Sequence, residues 1–419
     1  MKQEVHKQAG YSICTYRVRL YDRHFKWIVE TKVLYEKVVH HFLTVLEQKP
    51  ELLEQSDFNL LRTLEILCIG TKEMKGQGIP PEFPLHVLNG LPKVPLYFRR
   101  SAINAAITGA RSIKMHGKSE TENFVKNCVM TLYKGMYQEF TDTSIALKLF
   151  NGEKWVWVTY PFAGRKFPEE AERLSPMLVV EKKNVYLNVP VKQTVADIRT
   201  VKERMQEEKQ ICAVAFPDYD VMAVAVILSK DGQEQECKFF RGGKQKEYQK
   251  KRILEQIQTS INSRGLHPDG QENTVLYNRL RQINQYYAHC ISRQIVNYCL
   301  EKQIKIIVLP NYEMSIDFKE KQYMKTDNYR WLGRSIIQKL QYKAFQEGIV
   351  VTTVKPYHTS DTCSACGATI SKYNEGHKAG QHYYGGKLYV CPNGHKGNSA
   401  ENAANNIGKQ FLHYFKENK

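Results

Sequence analysis

No stretch of these 419 residues is long and apolar enough to cross a bilayer as a helix. The opening Met1–Tyr11 is polar and does not read as a secretory leader. No Walker loop or dinucleotide fingerprint is present. The one suggestive run, Arg241-Gly242-Gly243-Lys244, is too short, lacks a following Ser or Thr, and reads as a turn. Tandem repeats and low-complexity tails are also missing. Of ten cysteines, seven (Cys14, Cys68, Cys128, Cys212, Cys237, Cys290 and Cys299) sit scattered in apolar or helical contexts. They read as reduced core thiols, which argues against a disulfide frame and for an intracellular protein. His6, His24, His40 and His41 show no ligand spacing. Acid is in short supply: 43 Asp and Glu face 61 Lys and Arg, a formal charge of +18. Such an excess points to a polyanionic partner. With 25 Tyr and 17 Phe among the cations, nucleic acid is the favoured one, because its bases stack on aromatic faces.

What is present divides the chain into modules. Tyr11–Leu20 reads as a strand, and helical periodicity follows from about His24. A second helix carries Leu60, Leu61, Leu64 and Leu67. Residues 76–95 are rich in Gly and Pro and read as a connector. Ser101–Met115 and Glu122–Phe140 look helical again. The period then changes to strands at Ile145–Phe150, Lys154–Tyr160, Met177–Glu181 and Val185–Pro190. These strands could close a β-barrel with Tyr11–Leu20. Residues 191–209 form a charged linker helix. From Ile211 three strands, a basic helix, further helices over Val275–Glu301, the buried strand Ile304–Leu309, a helix over Trp331–Gln346 and the strand Ile349–Val354 follow. That order is an RNase H-type α/β core.

Cys363-x2-Cys366 and Cys391-x3-His395 offer four donors on two tight loops, the pattern of a structural zinc ribbon. His395 is taken as the fourth ligand, with His377 and His382 as reserves.

Leu340, Tyr342, Lys343 and Ala344 on a helix, then Thr359-Ser360 before Cys363-x2-Cys366-Gly367, then Asn402-Ala403-Ala404 with Asn406-Ile407, together resemble the C-terminal end of the TnpB family and the compact type V CRISPR effectors. His289, Ser292, Arg293, Ile295, Val296 and Phe239-Phe240-Arg241 extend the resemblance over about residues 208–419. Before that it is architectural only. The resemblance implies a wedge β-barrel over 1–25 and 141–195 with an α-helical recognition lobe, 26–140, inserted in it. It further implies a linker over 196–209, a RuvC-like domain over 210–360 and 398–419, and an inserted zinc ribbon, 361–397, that contacts target nucleic acid. The expected cofactors and partners are structural Zn2+, a guide RNA and double-stranded target DNA, with room for a host or transposon protein partner and none for a membrane. The expected setting is a prokaryotic cytoplasm, at the nucleoid when bound.

RuvC-like nucleases hold two divalent metals between acidic residues. Carried onto this chain, the three acid positions fall on Phe216, Pro310 and Ala400. Asp218, Asp220, Glu313, Asp317 and Glu401 lie nearby as possible substitutes. Glu401 is one helical step, about 100°, from the expected position. The family's chemistry is therefore expected to be missing while its architecture is kept. Phosphate contacts are expected from Arg241, Lys244, Lys246, Lys250, Lys251, Arg252, Arg279, Arg281, Arg293, Lys325, Arg330, Arg334, Lys339 and Lys343. Arg99, Arg100, Arg111, Lys114 and Lys118, with Tyr97 and Phe98, make a weaker candidate patch. The function expected is RNA-guided DNA binding without nuclease activity, repressing transcription by occupying the target. Two alternatives stand beside it: an active RNA-guided endonuclease with displaced acids, and a non-catalytic transposition accessory or protein-binding factor.

Overall fold

The computed structural model describes residues 10–21, 24–85, 92–116, 121–217, 220–264, 273–311, 332–376 and 386–417. The chain divides into two compact units, one over Ile13–Thr194 and one made of the residues up to Ser12 together with those from Val195 onward.

In the first unit, strand β1 (Tyr11–Leu20) leads into α1 (Phe25–Gln48), α2 (Asp57–Ile69), the short α3 (Lys72–Gly76), α4 (Leu96–His116) and α5 (Thr121–Asn127). Strands β2 (Met130–Thr131), β3 (Tyr137–Gln138), β4 (Ser144–Phe150), β5 (Trp155–Gly164), β6 (Glu172–Arg173), β7 (Met177–Glu181) and β8 (Asn184–Thr194) follow. The sheet runs β2-β7-β8-β1-β5-β4-β3, with β6 on β8. Among the described residues no ladder joins β2 to β3, so the expected barrel is a sheet with two edges. Helix α1 buries Leu34, Val38, Phe42 and Leu46 along one stripe. That stripe shares a single apolar core with Ile145, Leu147 and Leu149 of β4. Thr31 accepts a hydrogen bond from the Phe150 amide (2.8 Å), pinning helix to strand. Helices and sheet thus form one unit. The helix expected over Glu122–Phe140 stops at Asn127. Gly135 takes a positive φ of 96°, and a Cβ there would lie 2.5 Å from the Tyr97 ring, so the chain turns and enters strands instead.

The second unit begins with α6 (Val201–Glu207), closed by a capping box between Thr200 and Glu203. Strands β9 (Gln210–Ala215), β10 (Val221–Ser229) and β11 (Glu234–Arg241) precede α7 (Gly243–Arg264) and α8 (Thr274–Glu301). Then come β12 (Ile306–Pro310), α9 (Leu332–Gln346) and β13 (Val350–Val354). A three-stranded sheet of β14 (Ser371–Tyr373), β15 (Leu388–Val390) and β16 (Lys396–Asn398) leads into the closing helix α10 (Ser399–Glu417). The main sheet has the order β11-β10-β9-β12-β13. β10 is antiparallel to both neighbours, and β12 is parallel to β9 and β13. This is the RNase H-type arrangement expected. One face of the sheet packs on α8 and α9 through Cys212, Val214, Ile295 and Leu340. The other packs on α10 through Ala213, Ala215, Ala404 and Ile407. Burial on both faces explains why β10 reads Val-Met-Ala-Val-Ala-Val-Ile-Leu without a polar alternate.

Two residues set the close packing of this unit. Gly408 of α10 lies so near β9 and β10 that a Cβ would fall 2.1 Å from Leu228 Cδ1 and 3.0 Å from Ala213 Cβ. Arg204 of α6 is buried, and its guanidinium donates to the carbonyls of Gly348 (2.6 Å) and Lys305 (3.2 Å) while pairing with Asp197 (3.2 Å). The segment 196–209 is therefore packed into the second unit and is not a free linker.

Candidate nucleic-acid interface and metal cluster

The ribbon brings its four donors together. The side chains of Cys363, Cys366, Cys391 and His395 all lie within 4.8 Å of one another. Cys366 Sγ and Cys391 Sγ are 3.8 Å apart, and Cys391 Sγ and His395 Nδ1 are 3.3 Å apart. Two thiolates about 2.3 Å from one tetrahedral ion would sit about 3.8 Å apart, so the set fits such an ion. The Ala368 amide and the Asn393 side chain (3.3 Å) donate to Cys366 and bring its thiol down to about 6, which favours the thiolate. Four protein donors leave no open position for substrate chemistry. His377 and His382 lie outside the described residues.

The motif read only as a closing helix proves to be the ribbon's anchor. Asn402 donates to the Thr362 carbonyl (2.7 Å) and accepts from the Ser364 amide (2.7 Å). Asn406 donates to the carbonyls of Thr359 (2.9 Å) and Thr362 (2.8 Å). Lys409 donates to the Ser364 carbonyl (2.6 Å), and Ser399 to that of Gly386 (2.6 Å). Buried amides matched to backbone in this way hold the first knuckle against α10. No local signal marks these contacts in the sequence, because the partners lie some forty residues away.

The positions of the expected acids are apolar and packed. Phe216 follows the last residue of β9, Pro310 ends β12 and is buried, and Ala400 is the second residue of α10. Ala400 shares its face of the sheet with Ala215 and Val308, whereas Phe216 packs on the opposite face with Cys212 and Val214. Ala215 rather than Phe216 is thus the β9 residue on the α10 side. Asp220 accepts from the Lys244 amide (3.2 Å) and caps α7. Glu401 turns toward β11, where it clusters with Glu234 and Cys237. Burial and the Glu234 charge push the Glu401 carboxyl up, and Asn405 donates to Glu234 (2.5 Å). That cluster is on the far side of β10 from β9 and β12. Asp218, Glu313 and Asp317 lie outside the described residues.

The expected phosphate-binding cations separate into groups. Arg241, Lys244, Lys251, Arg252, Arg279, Arg281 and Arg334 are exposed. Lys250, Arg293 and Lys339 are half-buried, and Arg293 pairs with Glu347 (2.9 Å). Lys250 and Lys251 pair within α7 with Glu247 (3.7 Å) and Glu255 (3.9 Å). Two assignments are corrected. Lys343 is buried and donates to His289 O (2.7 Å) and Ser292 Oγ (2.8 Å), so it ties α9 to α8 instead of meeting phosphate. Burial, with Arg293 nearby, brings its ammonium down to about 8. Lys246 is buried too, with Nζ 3.5 Å from Glu247. Lys325 and Arg330 lie outside the described residues.

Missed by the sequence reading is a groove of about 800 Å³ between α7 and α8. Arg241, Arg252, Arg279, Tyr248 and Tyr286 line it together with Gln245, Gln249, Gln256, Gln282 and Gln294, and among the described residues no carboxylate does. In the first unit the described cations of the candidate patch are paired within the unit, four cations with three carboxylates, and Lys118 lies outside the described residues. Arg99 and Arg100 share Glu65 (both 3.1 Å), Arg111 meets Asp57 (2.6 Å), Lys114 meets Glu54 (3.2 Å), and Phe98 is core.

Residues 334–407 match the model of the Cas12f1-like TNB domain, and residues 12–151 that of the Aq_aa04 family. A CRISPR-associated endodeoxyribonuclease Cas12f2 of a Micrarchaeota archaeon is 35% identical over 94 residues, which is 22% of this chain and 17% of that protein. The chain thus aligns with under a fifth of that relative's length. Among solved structures, a Cas12f1–sgRNA–target DNA complex has a TM-score of 0.36 at 13% identity, covering 94% of this chain and 98% of the other. The mini RNA-guided endonuclease Cas_phi3 has a TM-score of 0.47 at 10% identity, covering 96% and 92%. Among the described residues no helix is long and apolar enough to cross a membrane. The matched TNB domain falls on the helix, the two knuckles and the asparagine-bearing start of α10 whose geometry is given above, so over residues 334–407 the chain is similar to the Cas12f1-like proteins.

Proposed function

We propose that the protein binds a guide RNA and, through it, double-stranded DNA, and that it does not cut. The observation that carries the second part is the apolar packing at the ends of β9 and β12 and the start of α10. Ala215 and Ala400 share one apolar core there and Pro310 is buried at the end of β12, at or beside the positions Phe216, Pro310 and Ala400 to which the resemblance assigns a two-metal nuclease's carboxylates. The first part is supported by the TNB domain, by the Cas12f2 likeness, and by exposed cations around α7 and α8 with no carboxylate among the described residues of the groove between them. Guide pairing would supply sequence, and the protein shape and charge. A complex that stays bound without cleaving would block polymerase, so transcriptional repression is the expected outcome. Zn2+ on Cys363, Cys366, Cys391 and His395 would be structural, keeping the ribbon folded against α10.

Three measurements test this on the full chain. RNA co-purifying with the protein is sequenced, and a discrete species with a variable guide portion is expected; only random fragments would sink the guided reading. Matched duplex DNA is then offered with that RNA and Mg2+ or Mn2+; binding without products is expected, and defined cuts would overturn the nuclease-dead reading in favour of displaced acids. Metal analysis should give about one zinc per chain, falling in Cys391→Ser.

A further inference from the structure

The groove between α7 and α8 combines features that the charged patch alone does not explain. Tyr248 and Tyr286 are each 63% exposed, although aromatic rings normally seek cover. Tyr286 is held edge-on by the buried Tyr287, with centroids 5.4 Å apart and planes at 83°. Its ring thus meets one neighbouring ring and is otherwise largely open to solvent. Arg252 stands over Tyr248 at 5.9 Å, and both line the groove. Arg241 and Arg279 complete its positive lining, and among the described residues neither has an ion pair. The remaining polar lining is glutamine, whose amide both donates and accepts.

Phosphate binding alone would need only the arginines. Exposed ring faces beside them suit unpaired bases, which stack on Tyr and on guanidinium planes. Amide donors and acceptors suit base edges and 2′-hydroxyls. A paired helix shows 2′-hydroxyls and groove edges but no open base faces, because its bases are already stacked on each other. A protein segment would find three arginines and, among the described residues, no acid, a lining that only a strongly acidic peptide could match.

We infer that the α7–α8 groove is a binding site for an unpaired RNA strand, with bases stacked on Tyr248 and Tyr286 and phosphates held by Arg241, Arg252 and Arg279. This rests on the reading that the protein carries an RNA. It adds that a single-stranded part of that RNA is gripped by ring stacking at a defined place.

The test uses the full-length protein, stripped of its RNA by high salt, and a fluorescent single-stranded RNA of about ten nucleotides containing 4-thiouridine. Ultraviolet crosslinking followed by peptide mapping should place the adduct on the α7 or α8 peptide carrying Tyr248 or Tyr286. The double variant Tyr248→Ala/Tyr286→Ala should bind this probe at least tenfold more weakly. The double Phe variant, which keeps the ring faces, should stay within about twofold of the original protein. Duplex RNA of the same sequence should bind both variants alike. Adducts confined to other peptides, an Ala variant with unchanged affinity, or an equal loss on duplex RNA would each overturn the groove assignment while leaving RNA binding itself standing. Loss of a co-purifying acidic protein from the Ala variant with no change in RNA affinity would do the same. If the unaltered protein bound neither the probe nor any RNA in the cell, the groove assignment and the guided reading would fall together.

Discussion

Arg99, Arg100, Arg111 and Lys114 of the first unit each face a carboxylate, whereas Arg241, Arg252 and Arg279 around the α7–α8 groove face none among the described residues. The chemistry of the side chains is the same, and the surroundings differ. A cation paired within the chain contributes to folding and adds little to the field outside. An unpaired one keeps its charge for a ligand and raises the local potential. Net charge measures the sum of both kinds, so +18 overstates the charge left free for nucleic acid.

The comparison breaks most visibly if the groove arginines are removed together. Arg241→Ala/Arg252→Ala/Arg279→Ala is expected to weaken single-stranded RNA binding on the order of a hundredfold near 0.1 M salt. The slope of log K against log salt should fall by about 2, since each lost phosphate contact on a single strand accounts for about 0.7. Filter binding over a salt series measures both, and the melting temperature should hardly move. An unchanged slope would mean these cations do not meet phosphate.

The converse substitution removes a carboxylate from the paired set. Glu65 is mostly buried and holds both Arg99 and Arg100, with Arg99 itself largely covered. Glu65→Gln leaves a covered guanidinium without its counter-charge, at a cost of about 2 kcal/mol and a fall in Tm of about 5 °C. RNA affinity should stay the same or rise slightly. A large loss of RNA binding without loss of stability would mean that the pairing in α4 opens for a ligand.

A third kind of cation sharpens the comparison. Lys343 is buried with neutral partners only, so the folded state favours its uncharged form, at about 8 against an ordinary 10.5. Between those values the unfolded chain binds the proton and the folded chain does not. Stability from this group therefore rises as pH goes from about 8 to 10.5. Between pH 8 and 9 the expected gain is about 1 kcal/mol. Denaturant titrations of Lys343→Met should lack that rise; an identical pH profile would place the proton elsewhere.

Much of this could be read from residue order, and the failures have identifiable physics. Tyr11–Leu20 and Met177–Glu181 are strands over the residues expected, because strand alternation leaves a clear pattern. The four metal donors were legible because ligand spacing is local. The burial of Lys343 was legible in principle: it follows Ile336 and Leu340 at steps of four and three, on the apolar stripe of α9. Lys246 and Lys250 similarly precede Ile253 and Ile257 on α7. Counting charges hid both cases. The roles of Asn402 and Asn406 were not legible, since their partners are carbonyls brought close only by the fold. The groove escaped because it joins two helices, and the fold alone brings Arg241, Tyr248 and Arg252 opposite Arg279 and Tyr286.

The smallest effect expected comes from the exposed end of the paired set. Lys114 and Glu54 sit 3.2 Å apart with both side chains mostly in solvent. An ion pair in that setting gains little Coulomb energy and spends side-chain entropy to hold its geometry. Lys114→Ala should therefore change stability by no more than about 0.5 kcal/mol and RNA affinity by less than about twofold. Its value is as a control for the groove. The single substitution Arg279→Ala removes the same charge from a similarly exposed helix, yet should lower the salt slope by about 0.7. If the two variants behaved alike on RNA, pairing within the chain would not be what separates the two surfaces, and the division between structural and ligand-facing cations would have to be abandoned.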